Sequence, residues 1–201
     1  MNLQGEVLII DGKSHDKTVD IAFIYGAKLY ISKEKNRGLQ LNMGAKKATG
    51  NWLLFLHADS RLNHKFFTKI KSFIKEDTNS IYFFKFRINN KKAIYRFLEF
   101  LVNFRSKFFK NPYGDQGLLI HKKSYIKLKG YKEIPLMEDL DFIKRIHNKK
   151  YLKMLNIPIY TSSRKWEKTN FIFQAFKNWR LRQRWLRGES INSIYEDYYK
   201  N

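Results

Sequence analysis

The stretch Asn51–Arg61, NWLLFLHADSR, decides how this chain folds. Its apolar run, Trp52–Leu56, is short and uninterrupted, and it stops on a polar loop carrying His57 and Asp59. A run of that length predicts a strand buried on both faces, inside a sheet covered by helices. In open α/β sheets, ligands bind just beyond the carboxyl ends of such strands. An aspartate there, two residues after a histidine, is placed to meet a metal or a phosphorylated ligand. It would serve equally as the cap of a helix beginning near Asn63.

Working outward, strands and helices alternate through the first half. Glu6–Ile10 (EVLII) reads as a strand, Val19–Tyr25 as a helix, Ala27–Ile31 as a strand and Leu39–Thr49 as a helix closed by Gly50. After the Trp52–Leu56 strand, Asn63–Lys75 reads as a helix with Phe66, Phe67, Ile70, Phe73 and Ile74 on one face. This rhythm predicts a Rossmann-like α/β domain, a mostly parallel sheet flanked by helices. Downstream lie a strand at Ser80–Ile88, a basic-aromatic helix at Lys91–Phe109, a short strand at Leu118–His121 and a helix running from the acids near Glu138 to His147. A strand near Tyr151–Leu155 and two helices near Asn170–Arg187 and Ser190–Tyr199 complete the reading. Residues 1–165 are expected to form the sheet and its site, and residues 166–201 a helical extension of the same domain.

Composition narrows the function classes. A chain of 201 residues with 43% hydrophobic content is long enough, and apolar enough, for one globular core. No apolar segment approaches the ~20 residues that span a bilayer, and Met1–Ile10 lacks the form of a secretory signal. The absence of cysteine excludes disulfides and thiolate metal sites and fits a cytoplasmic protein. The net charge of +22 favours polyanionic partners: nucleic acid, anionic lipid or phosphorylated small molecules.

Four polar clusters fall at positions this topology gathers on one rim. Asp11 follows the EVLII strand, where a carboxylate can accept hydrogen bonds from a base or ribose. Arg37, Gln40 and Asn42 open a helix, and helix N-termini favour anions. Asp59 offers the hard oxygen that Mg²⁺ or Mn²⁺ prefers, and His57 a softer ligand that Mn²⁺ tolerates. Glu138 and Asp139 begin a helix, where the dipole stabilises them; crowding of carboxylates also raises a pKa, as a general base requires.

In order, the motifs DGxSxD at Asp11–Asp16, Asn36–Ala45, WLLFLHAD at Trp52–Asp59, PYGDQG at Pro112–Gly117 and PLMED at Pro135–Asp139 resemble the family 2 glycosyltransferases of GT-A fold. They are most similar to a compact bacterial branch, over about Glu6 to Trp185. The resemblance implies an inverting, metal-assisted, hexosyltransferase-type transfer from a nucleotide-diphosphate sugar to an acceptor hydroxyl, which a lipid-linked molecule could supply. It implies that Asp11, Arg37, Gln40, Asn42 and Asp59 bind the donor, and that Arg164 and Trp166 do so near the phosphates. Asp59 would then hold Mn²⁺ or Mg²⁺ with His57, which replaces the family's usual first aspartate. Asp139 would be the general base with Glu138 beside it, and Asp115 and Gln116 would sit beside the sugar and acceptor.

These enzymes usually begin with a strand ending in Pro-x-x-Asn-Glu, whereas only Met1–Gly5 precedes EVLII here. Loss of that strand would expose an edge beside Glu6–Ile10, unless the true start lies upstream or other elements close the gap. It keeps an inactive glycosyltransferase-like scaffold as an alternative, and the charge keeps a basic nucleic-acid-binding domain as another. The segment Phe171–Arg187 interleaves aromatics with arginines. It is suited to pack on the domain with its arginines reaching phosphate, or to lie on the inner face of an anionic membrane.

Overall fold

The computed structural model describes residues 5–76, 78–163 and 171–199. Strand β1 (Leu8–Asp11) and strand β2 (Lys28–Ile31), joined through helix α1 (Thr18–Ile24), form a parallel two-stranded sheet. Helix α2 (Arg37–Lys47) follows, capped by Asn36, whose side chain accepts the Leu39 N–H at 3.0 Å. A second sheet has the order β3-β6-β5-β7-β4. Its strands are β3 (Trp52–Phe55), β4 (Ser60–Leu62), β5 (Ile81–Ile88), β6 (Leu118–His121) and β7 (Leu152–Thr161).

Around it lie α3 (Phe66–Ile70), α4 (Phe73–Glu76), α5 (Ala93–Phe108), α6 (Lys122–Lys127), α7 (Glu138–Arg145), α8 (Phe171–Leu186) and α9 (Ile191–Tyr199). The expected α/β layering is present, but the expectation of a mostly parallel sheet is corrected. Parallel pairing is confined to β1/β2 and β5/β7, while β3/β6, β5/β6 and β4/β7 are antiparallel. The reason is geometric. Both β4 and β6 start at the rim where β3 ends, so each must run back across the sheet. Strand β4 and the division of Asn63–Lys75 into α3 and α4 also differ from the sequence reading, because Ser60–Leu62 is too short for a periodic signal.

The two faces of the large sheet are sorted by the alternation of strand side chains. Ile81, Phe83, Leu118, Ile120 and Leu152 point toward Tyr125, Tyr131, Phe142 and Ile143. Tyr82, Phe84, Leu119, Leu155 and Ile159 point toward Phe66 and Ile70. Burying each such large side chain is worth about 1.5–3 kcal/mol, so this double-faced core fixes where β3 and β6 end. In the small sheet, β1 ladders with β2 on one side, and no β1/β3 ladder exists among the described residues.

Two close approaches set the site. At Gly117, φ is +62°, and a Cβ there would come within 2.7 Å of Ile159 Cδ1. At Gly38, the helix N-terminus lies against the 132–134 backbone, Gly38 N–H donating to Ile134 O at 3.2 Å, and a Cβ would overlap the Lys132 carbonyl. Gly38→Ala is expected to lower unfolding free energy by about 1–3 kcal/mol, as overpacking does. Urea denaturation measures it, and an unchanged midpoint would show that α2 tolerates displacement here.

Candidate active site

Pairing Phe55 of β3 with Leu118 of β6 sets the end of one strand beside the start of the other. The 56–59 loop and the Tyr113–Gly117 turn are therefore neighbours. Gly114 leaves no room for a side chain, since a Cβ there would overlap His57 Nε2 and lie 3.4 Å from Asp139 Oδ2. Helix α7 adds its N-terminus to this rim. Asp139 Oδ2 accepts the Gly114 N–H at 2.7 Å and Oδ1 accepts its neighbour's, Leu140 N–H, at 2.8 Å. Met137, which precedes α7, is left-handed at φ 64°. A non-glycine residue there carries strain of about 1–3 kcal/mol, held in place by packing of Leu136 and Met137 against Leu181, Trp185 and Ile194 of the α8–α9 pair.

Arg37, the first residue of α2, reaches this rim. Its Nη2 lies 2.8 Å from Glu138 Oε1 and 3.0 Å from His57 Nε2. Glu138 is fully buried, and among the described residues neither carboxylate oxygen has an aligned hydrogen-bond donor. Burial first, and Asp139 second, push its pKa from 4.5 up to about 7, against the pull of Arg37. Burial works against the Arg37 charge too, but the Glu138 and Asp139 carboxylates keep its pKa above the ordinary value. Asp115 is pushed up to about 6 by burial, opposed by Arg105 and reinforced by Asp139 and Asp59; its Oδ1 is sealed from solvent without a hydrogen bond.

Two further arginines stand here that the motifs do not single out. The Arg105 guanidinium stacks on the Tyr113 ring at 3.6 Å, and Arg182 of α8 donates to the Tyr113 hydroxyl. Among the described residues, the buried Nε atoms of both have no hydrogen-bond partner. Both lie in segments with a basic-aromatic pattern, Lys91–Phe109 and Phe171–Arg187, but only the tertiary fold brings α5 to Tyr113.

Asp59 is exposed in the turn between β3 and β4, with Oδ2 accepting from Thr161 Oγ1 at 3.3 Å. Among the described residues, no three His, Asp or Glu side chains converge as a metal-holding group. Asp59 fits as one hard oxygen ligand, which suffices for a cation that keeps waters and substrate phosphates. His57, expected as a second ligand, turns its Nε2 to the Arg37 guanidinium at 3.0 Å.

Asp11 is buried at the end of β1, where its carboxylate accepts Ser14 N–H at 2.9 Å and the Ser14 hydroxyl; those bonds lower its pKa despite burial. Gln40 stands next to this turn, donating to Ile10 O at 2.8 Å. Asn42 is not brought to the rim. Its amide is consumed by the Tyr125 hydroxyl at 2.6 Å and by Tyr131 N–H and C=O at 3.0 and 2.8 Å. Gln116 is likewise corrected to an internal strut, fully buried, donating to Phe84 O at 3.1 Å and accepting from Ser106 Oγ. Arg164 and Trp166 lie outside the described residues.

This α/β arrangement is a GT-A fold. It resembles S. aureus TarS (residues 1–349) solved in complex with UDP, at 17% identity and TM-score 0.63, over 78% of this chain and 51% of that one. It also resembles the mannosyltransferase PcManGT from Pyrobaculum calidifontis, in complex with GDP-Man and Mn²⁺, at 14% identity and TM-score 0.63, over 89% and 51%. In sequence, residues 3–133 match the model of Glycosyl transferase family 2, and the chain belongs to that family. A PGL/p-HBAD biosynthesis glycosyltransferase of Mycobacterium tuberculosis is 43% identical over 63 residues, 28% of this chain and 25% of that protein. The chain thus spans about a quarter of that relative and about half of the structural neighbours.

The titration of Glu138 has a sign that can be measured. Its folded pKa of about 7 exceeds the ordinary 4.5, so the stability it lends is complete below pH 4.5 and is lost as pH rises through about 7. Glu138→Gln cannot ionise and should gain stability relative to the native chain between those pH values. Thermal melting across the range reads this, and parallel pH profiles of the two chains would contradict it.

Proposed function

We propose that this chain transfers a sugar from a nucleoside-diphosphate donor to an acceptor hydroxyl with inversion at the anomeric carbon. Membership of Glycosyl transferase family 2 supports the reaction class. The donor class draws support from neighbours solved with UDP, UDP-GlcNAc and GDP-Man. One observation carries the mechanism: Asp139 is pinned by Gly114 N–H and Leu140 N–H within a rim shared by His57, Arg37 and Asp115.

In this reading Asp139 is the general base. Each of its oxygens keeps a second lone-pair direction for the acceptor hydroxyl. The proton passes to Asp139 as the acceptor oxygen bonds to the anomeric carbon, and the bond to the diphosphate breaks with its electron pair leaving on the diphosphate. Glu138, half-protonated near neutral pH, adds less negative charge beside Asp139 than an ordinary glutamate would. Arg37, Arg105 and Arg182 are positioned to offset the charge of the departing group. Asp11 and Gln40 line the nucleoside end. A divalent cation, Mn²⁺ or Mg²⁺, would be held by Asp59 with the donor's diphosphate and would supply further charge neutralisation; neighbours solved with Mn²⁺ support it.

Asp139→Asn is expected to lower turnover by about 10²-fold or more while leaving donor binding intact, with release of nucleoside diphosphate from a panel of nucleotide sugars as the assay. Full activity in that variant removes the base assignment. Asp59→Ala should abolish stimulation by Mn²⁺; stimulation equal to the native chain's would place the cation elsewhere.

A further inference from the structure

Helix α5 is apolar on two opposite sides, and only one of them faces the protein. Inward, Tyr95 and Leu98 pack on Phe86 and Ile88. Polar ties lock this side: Glu99 pairs with Arg87 at 2.6 Å and Arg96 at 2.9 Å and accepts Ile88 N–H at 2.7 Å. Asn103 accepts Phe86 N–H at 2.8 Å and donates to Phe86 O at 3.0 Å. The helix is thus a fixed platform.

Outward, Ile94, Phe97, Phe100, Leu101, Phe104 and Phe108 are all exposed, the four phenylalanines by 58%, 62%, 44% and 64%. At 100° per residue these six occupy roughly a third of the helix circumference, in a ridge about 21 Å long. Rings touch along it, Phe100–Phe104 at 6.1 Å and Phe104–Phe108 at 4.5 Å between centroids. Aromatic area of this extent, continuous and turned to water, marks an interaction surface.

The charge beside the ridge selects its partner. A cleft of about 580 Å³ runs along one flank, with Phe100, Phe104 and Phe108 on one wall. It also holds Lys85, Arg87, Arg96 and Lys107 against the single carboxylate of Glu99. An apolar ridge beside a row of cations matches the cross-section of an anionic bilayer surface, where rings enter the acyl boundary and cations stay at phosphate depth. A second copy of the chain fits poorly, because each carries +22 and two such chains repel. Stacked bases fit poorly as well, since Ile94 and Leu101 interrupt the rings and the cations lie to one side of the ridge.

We propose that the outer face of α5 is a peripheral docking surface for anionic phospholipid bilayers, with lipid phosphate groups in the Lys85/Lys107 cleft. The docking does not rest on the catalytic roles assigned above, but it orients them. The C-terminal turn of α5 carries Ser106 and Arg105, which hold Gln116 and Tyr113, so the rim is tied to the docked element.

The full chain is mixed with vesicles of phosphatidylcholine alone or with phosphatidylglycerol and sedimented. Binding is expected to the anionic vesicles, falling with salt. Phe100→Ser with Phe104→Ser should raise the lipid needed for half-maximal binding by roughly tenfold or more, with an unchanged circular dichroism spectrum. Lys85→Gln with Lys107→Gln should weaken binding to anionic vesicles alone. Because the chain has no cysteine, Phe104→Cys labelled with a polarity-sensitive fluorophore provides a second reading: its emission should shift to the blue on vesicles. The proposal is overturned if the probe does not shift. It is equally overturned if the serine variant binds as the native chain does, or if binding is lost instead on Phe173→Ser with Phe176→Ser in α8. A dimer that the serine variant dissociates would assign the face to a second copy, and RNA binding lost in that variant would assign it to nucleic acid.

Discussion

Arg37 lies between the ring of His57 and the buried carboxylate of Glu138, and three separate parts of the chain are held together at that point. One is the N-terminus of α2, one the loop after β3 and one the head of α7. A half-buried guanidinium facing a fully buried carboxylate is a balance of large opposing quantities, desolvation against attraction. Here the balance raises the Glu138 pKa to about 7, so that it is about half-ionised near neutral pH, while Arg37 keeps its charge. An anion entering the rim would meet a cation that its protein partner only partly neutralises. That property suits a diphosphate site better than a structural ion pair.

The placement is supported from behind by constraints that have no chemistry of their own. Gly38 lets α2 approach the 132–134 backbone, Gly114 makes room for the His57 ring, and Gly117 turns the chain into β6 at a left-handed φ. Met137 accepts a left-handed backbone because the α8–α9 pair encloses it. The C-terminal helices therefore belong to the site. They hold the entry to α7 from outside and send Arg182 to Tyr113.

Much of the layout was legible from residues 51–61 outward, because a short apolar run ending on polar residues states both a buried strand and its end. The helices α1, α2, α5, α7, α8 and α9 were read from the sequence, whereas the one apolar helical face singled out, Asn63–Lys75, is divided into α3 and α4. Strand direction was not legible, since the apolar run at Leu118–His121 reads the same whichever way it crosses the sheet. The amides misled for a different reason. Asn42 and Gln116 stand in motifs full of ligand-type residues, yet each spends its amide on backbone groups or tyrosine and serine hydroxyls inside the fold. The basic-aromatic pattern of Lys91–Phe109 did not point Arg105 to the site, because its role depends on where α5 ends relative to Tyr113. Which strands neighbour β1 is a matter of sheet topology, and among the described residues β1 ladders with β2.

The central claim is that the rim built on Arg37 receives a nucleoside diphosphate. Titration calorimetry of the full chain with UDP and with GDP, each with and without Mn²⁺, measures this directly. The account predicts one-to-one binding of at least one of them, strengthened by Mn²⁺ and weakened by added salt. Absence of binding by both at millimolar concentration with Mn²⁺ present would contradict it.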